Sequence, residues 1–158
     1  MSHQPSPRGG ATVGVLSELP PLEAGAVVYL RCWFDGPESR NQLRRDFYDL
    51  LGVDYANAAL DKFAQLCQLC AQHGRRPLVR HGLSCTCLGA DENCFANFIA
   101  CATEGEREDA MLLATLLVRP DMAPSLMGLA TQFGLALKQM TANLSSELQS
   151  RPSSATLH

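Results

Sequence analysis

Apolar positions recur every three or four residues along most of this chain, and glycine or proline interrupts the rhythm between runs. The first run, residues 23–34 (EAGAVVYLRCWF), is short and apolar, with Val27 and Val28 β-branched. Periodicity there does not separate a buried helix from a strand. A helix is expected, because no other stretch offers a strand to pair with and a lone strand leaves its backbone groups without partners. Asp35-Gly36-Pro37 stops that element and opens the next, since proline in a first helical turn gives up an N–H that has no intrahelical partner. Leu43, Phe47, Leu50 and Leu51 follow at helical spacing, with Arg40, Arg44, Arg45 and Asp46 on the other side and Gly52 to close. Asp54 is placed to cap a third helix carrying Tyr55, Ala59, Phe63, Leu66, Cys67 and Cys70 on or near one face, with Gly74 ending it.

A basic connector with Arg75, Arg76, Pro77 and Arg80 leads into residues 81–101, HGLSCTCLGADENCFANFIAC, around which the rest of the chain is organised. It interrupts the helices with a loop, then starts a new helix at Asp91, a good N-cap residue, with Phe95, Phe98, Ile99 and Ala102 inward. Thr103 and Glu106 have capping-box spacing and predict the start of a helix running to Val118. Its second half, MLLATLLV, is apolar nearly all round and predicts a central, covered helix. Arg119-Pro120-Asp121 breaks it, and Pro124 opens the last helix. There Leu126, Ala130, Phe133, Leu137, Met140 and Leu144 step by four and three, a heptad-like seam that serves either the domain's own core or a homodimer through residues 126–144.

The fold class that follows is all-α: an irregular bundle of five or six helices with a cysteine-bearing loop near residues 81–91. Residues 1–22, rich in Pro, Gly and Ser, read as a flexible lead, residues 23–149 as a single helical domain, and residues 150–158 as a flexible tail.

Composition narrows the function. An apolar fraction of 46% over 158 residues supports a core without disulfides. The formal net charge of −3 gives no global basic field toward nucleic acid or anionic lipid. No apolar run reaches membrane-spanning length, and the first residues lack a charged segment followed by an apolar one, so no membrane and a cytoplasmic location are expected. Seven cysteines without such a leader point to free thiols or bound metal rather than a disulfide frame.

Six of those cysteines, with His73 and His81, fall between residues 67 and 101. A structural zinc ion held by His81, Cys85, Cys87 and Cys94 is the first grouping: the loop supplies three ligands, and a helix N-terminus favours the Cys94 thiolate. Cys67, Cys70, Cys85 and Cys87 form the second, although a mid-helix pair makes no knuckle turn. The bland reading puts Cys32, Cys67, Cys70 and Cys101 in the core as small apolar side chains. Cys85 or Cys87 with His81 and Asp91 also has the residue types of a thiol–imidazole–carboxylate set. There is no phosphate-binding glycine loop and no HExxH.

Ala130, Gly134 and Leu135 resemble the core of a helix-turn-helix, with Lys138, Gln139, Thr141 and Asn143 as polar contacts to DNA. Against it, the seam crosses Gly134 in phase, and one lysine is little for phosphate contact. The leading expectation is therefore a small non-enzymatic regulatory or adaptor protein with a protein partner and a zinc-stabilised loop. A DNA-binding regulator using residues 126–144, and a thiol-based redox sensor or enzyme at Cys85 and Cys87, are the alternatives.

Overall fold

The computed structural model describes residues 8–150, and among them six α-helices pack against one another with one two-stranded sheet. The all-α expectation holds. The helices are α1 (Pro21–Asp35), α2 (Pro37–Leu51), α3 (Val53–His73), α4 (Ala90–Glu104), α5 (Arg107–Leu117) and α6 (Ala123–Ser150). Residues 23–34 lie within α1, so the ambiguous apolar run is a helix.

The long α6 is the axis and touches each of the other five helices. Leu126, Ala130, Phe133, Leu137 and Met140 are all buried in the main core, so the heptad-like seam serves the protein's own interior down to Met140. Leu144, the last seam position, is exposed. Phe133 stacks on Phe63 with ring centroids 4.3 Å apart, and Trp33 meets Phe63 edge-on. Burial of each large apolar side chain contributes about 1.5–3 kcal/mol, so this aromatic column is a main source of cohesion between α1, α3 and α6.

The helix-turn-helix reading of 126–144 is overturned. α6 runs without a turn through Gly134, whose backbone lies against α4: a β-carbon there would sit 1.8 Å from Thr103 Oγ1. Gly134 is thus needed for close helix packing.

Several helix ends differ from expectation. Gly52, with φ +79°, both closes α2 and precedes α3, so Asp54 lies inside the first turn and is not the cap. Thr103 does not start α5. It lies inside α4 and donates to Ile99 O at 2.7 Å, and Gly105 (φ +80°) ends α4 in the left-handed conformation that glycine adopts without strain. α5 is peripheral rather than central: Ala110 and Ala114 pack inward, while Leu112 and Leu116 are 67% and 64% exposed. Small residues let α5 lie close to α4 and α6 with only one face covered, which a count of apolar residues does not distinguish from burial on all sides.

The sheet was not foreseen. Residues 8–19 fall in the stretch assigned to the lead, yet they carry a short 3₁₀ turn (Arg8–Gly10), strand β1 (Thr12–Val15) and a second 3₁₀ turn (Leu16–Glu18). β1 pairs antiparallel with β2 (Cys87–Gly89), bringing Thr12 opposite Gly89 and Val15 opposite Cys87. Leu16 and Leu19 pack on a satellite cluster of Val27, Leu88 and Ala96, which lies between this strap, α1 and α4. Four residues of strand pattern, TVGV, with a bulge after Thr12, are too short to stand out from a Pro/Gly-rich lead. Residues 1–7 and 151–158, the outer parts of the expected lead and tail, lie outside the described residues.

Candidate functional site

The cysteine loop is organised by one buried cation. Arg31 stands on α1 four residues after Val27, on the face that meets α4, and is 3% exposed. Its Nε donates to Glu92 Oε2 at 2.6 Å and one terminal nitrogen to Glu92 Oε1 at 2.9 Å, a bidentate pair with a carboxylate that is fully buried. The remaining donors reach the loop backbone: Gly82 O at 3.1 Å, Cys85 O at 2.7 Å and Cys87 O at 2.8 Å. A guanidinium has five N–H groups, and here all five have acceptors.

Glu92 completes the arrangement. It is the third residue of α4 and accepts from the Gly89 amide at 3.0 Å, which makes Gly89 the N-cap in place of Asp91. It also accepts from the His81 amide. Burial pushes the Glu92 carboxyl up, but the Arg31 hydrogen bond, the Gly89 amide and the Arg31 charge outweigh it and hold the group below its ordinary value.

The loop so held presents a thiol–imidazole pair. Cys85 Sγ lies 3.4 Å from His81 Nδ1. The other ring nitrogen, Nε2, donates to Gly10 O at 3.0 Å, and that bond fixes the tautomer that leaves Nδ1 facing the sulfur. Gly89 permits this: a β-carbon there would come within 2.9 Å of the His81 ring. The His81 hydrogen bond, with the Cys87 backbone amide next, holds Cys85 below the ordinary thiol value. The Cys85 thiol in turn raises His81 against its partial burial, with Gly10 O and Glu92 adding. Cys85 thus has its thiolate form favoured by His81, and it is partly exposed in a loop flanked by exposed Leu83, Ser84 and Thr86. Cys87, two residues on, is also partly exposed.

Of the four residues expected to hold zinc, His81 and Cys85 come together, Cys87 lies beside them, and Cys94 does not join. Cys94 lies two residues after Glu92 on α4, and residues so spaced face different ways. Glu92 faces the loop, while Cys94 packs against the main core. Burial, then the charge of Asp91, pushes the Cys94 thiol up, with Arg76 opposing. Both His81 ring nitrogens already have partners. Among the described residues no three His, Cys, Asp or Glu side chains gather as a metal site. The second grouping is separated too: Cys67 and Cys70 are core residues, and burial pushes Cys70 up to about 12.

The thiol–imidazole–carboxylate set also stops at two members. Asp91 accepts from Arg76 twice at 2.7 Å and from the Val79 amide at 2.7 Å, away from the His81 ring. Three other arginines also have partners: Arg40 lies over Trp33, Arg80 lies over Phe34, and Arg75 donates to Thr115 O.

Sequence reasoning found Cys85, Cys87 and His81 but missed Arg31, Glu92 and Gly10. A signal existed for two of them. Arg31 is the one charged residue in the interior of residues 24–34, and Glu92 stands three residues after Gly89 at capping-box spacing. Compared with known proteins, the chain matches no family model, no curated sequence and no solved structure.

Proposed function

We propose that this protein is a thiol-based redox sensor whose reactive thiol is Cys85, whose resolving thiol is Cys87 and whose oxidant is a hydroperoxide. The observation that carries this reading is the 3.4 Å approach of Cys85 Sγ to His81 Nδ1 in a partly exposed loop. A thiolate, not a thiol, is the nucleophile, and an adjacent imidazolium raises its share at neutral pH.

The Cys85 thiolate attacks the terminal oxygen of the hydroperoxide. The S–O bond forms, the O–O bond breaks, and the departing alkoxide takes the His81 proton to leave as alcohol. The Cys87 sulfur then attacks the Cys85 sulfenic acid. The S–S bond forms, and hydroxide leaves with the Cys87 proton as water. Two thiols are oxidised, one hydroperoxide is reduced, and a dithiol reductant restores the pair.

The test is the pH dependence of Cys85 alkylation, read by peptide mass spectrometry. The depressed thiol keeps its thiolate to lower pH, so Cys85 should react well below the ordinary midpoint of about 8.5. His81→Ala should move the profile upward. Coincident profiles for the two proteins, both at the ordinary midpoint, would remove the proposal.

A second reading, a regulatory or adaptor protein without redox chemistry, is favoured by the exposed Leu112 and Leu116 on α5. Under it, Cys85 reacts no faster than a model thiol, and the paired change of both leucines to Ser alters sedimentation.

A further inference from the structure

We infer that closure of a Cys85–Cys87 disulfide releases the strap formed by residues 8–19 and uncovers the apolar cluster beneath it. This rests on the redox reading above and states what that chemistry does to the molecule.

The residue between the two cysteines holds the strap. The Leu16 amide donates to Thr86 O at 2.8 Å, and Val15 pairs with Cys87. Further along, the Ala90 amide donates to Ala11 O at 2.9 Å, and His81 Nε2 donates to Gly10 O. Every one of these contacts is made by the 81–90 segment, so the strap and the thiol loop share one hydrogen-bonded frame. Its apolar attachment is small: Leu16 and Leu19 on Val27, Leu88 and Ala96.

Disulfide geometry conflicts with that frame. Cys85 precedes β2, but its carbonyl and that of Cys87 both face Arg31 while the Thr86 carbonyl faces Leu16, the alternation of an extended chain, in which residues two apart are separated by roughly 6.6 Å. A disulfide draws its β-carbons to about 3.8 Å. Joining Cys85 to Cys87 therefore bends the backbone at Thr86 and turns its carbonyl away from Leu16. Arg31 resists any sharing of the strain, because it grips the carbonyls of both cysteines from the buried side. Oxidation also draws Cys85 Sγ away from His81 Nδ1, and with it goes a contact that orients the ring toward Gly10 O. A ladder of three residue pairs that loses its Thr86 end opens from there toward Gly89, and its opening exposes Val27, Leu88 and Ala96 as a hydrophobic surface.

Hydrogen exchange on the full chain tests this, comparing reduced protein with protein treated with hydrogen peroxide, the disulfide being located by peptide mass spectrometry. Peptides covering residues 9–19 should exchange at least about tenfold faster in the oxidised protein, while α3 and α6 stay protected. Cys87→Ser, treated identically, should keep the reduced pattern. A Cys85–Cys87 disulfide with unchanged exchange at 9–19 would overturn the strap while leaving the redox reading intact. Absence of the disulfide after peroxide would overturn both.

Discussion

Arg31 and Glu92 are both withdrawn from water, and a buried ion pair of this kind holds only when every donor and lone pair is satisfied. Removing one partner strands the other. Arg31→Met is therefore expected to cost about 3–5 kcal/mol in urea unfolding, because Glu92 then keeps a buried charge with only backbone amides around it. Arg31→Lys is expected to recover little, since an ammonium lacks the planar fork that reaches Glu92 and three carbonyls at once. Replacing both residues with apolar ones of similar volume should restore part of the loss. A cost below about 1 kcal/mol for Arg31→Met would show that the loop is held by something else. At this scale the sequence was partly legible. Cys85 and His81 stand four apart in one polar loop and were identifiable by residue type. Arg31 and Glu92 are 61 positions apart, and their pairing depends on how α1 crosses α4, which no local pattern encodes.

Helix α6 shows how an element's period outlives a misleading local cue. The seam from Leu126 to Met140 kept its phase across Gly134, and phase, not the glycine, identified the continuous helix. The glycine has a packing cause, its contact with Thr103 on α4. Gly to Ala inside a helix ordinarily gains about 1 kcal/mol. Here Gly134→Ala is expected to lose about 1–3 kcal/mol instead, because the new methyl displaces Thr103 Oγ1 from its bond to Ile99 O or forces the helices apart. Thr103→Ala should then rescue the variant in a double-mutant cycle. A stabilising Gly134→Ala on its own would show that α4 and α6 lie further apart than described. Strand β1 marks the opposite limit. Its partner is some 75 residues away, and four residues in a Gly/Pro-rich context carry no period strong enough to announce it.

Across the whole molecule, the seven cysteines divide by their distance from the core rather than by their spacing in sequence. Cys67 and Cys70 belong to the interior of α3, where burial pushes both thiols up, while Cys85 lies in the loop with its thiolate favoured. The two classes should be visible in one experiment. With a thiol-specific dye in slight excess under native conditions, Cys85 is expected to label first. Cys67 and Cys70 are expected to label only at the rate of global opening, so urea should accelerate them and leave Cys85 almost unchanged. The same division bears on metal. The loop is tied down by a guanidinium with five acceptors, so its order does not depend on four thiolate and imidazole ligands meeting at one point. Prolonged chelation should therefore leave both the melting temperature and the labelling order as they were. A structural zinc site would instead slow Cys85 until chelator is added and then lower the melting temperature, because metal binding to such a loop is folding free energy. Slow Cys85 labelling that chelation releases would reassign the loop from redox chemistry to a metal centre, whereas fast labelling indifferent to chelator favours the thiolate–imidazolium pair.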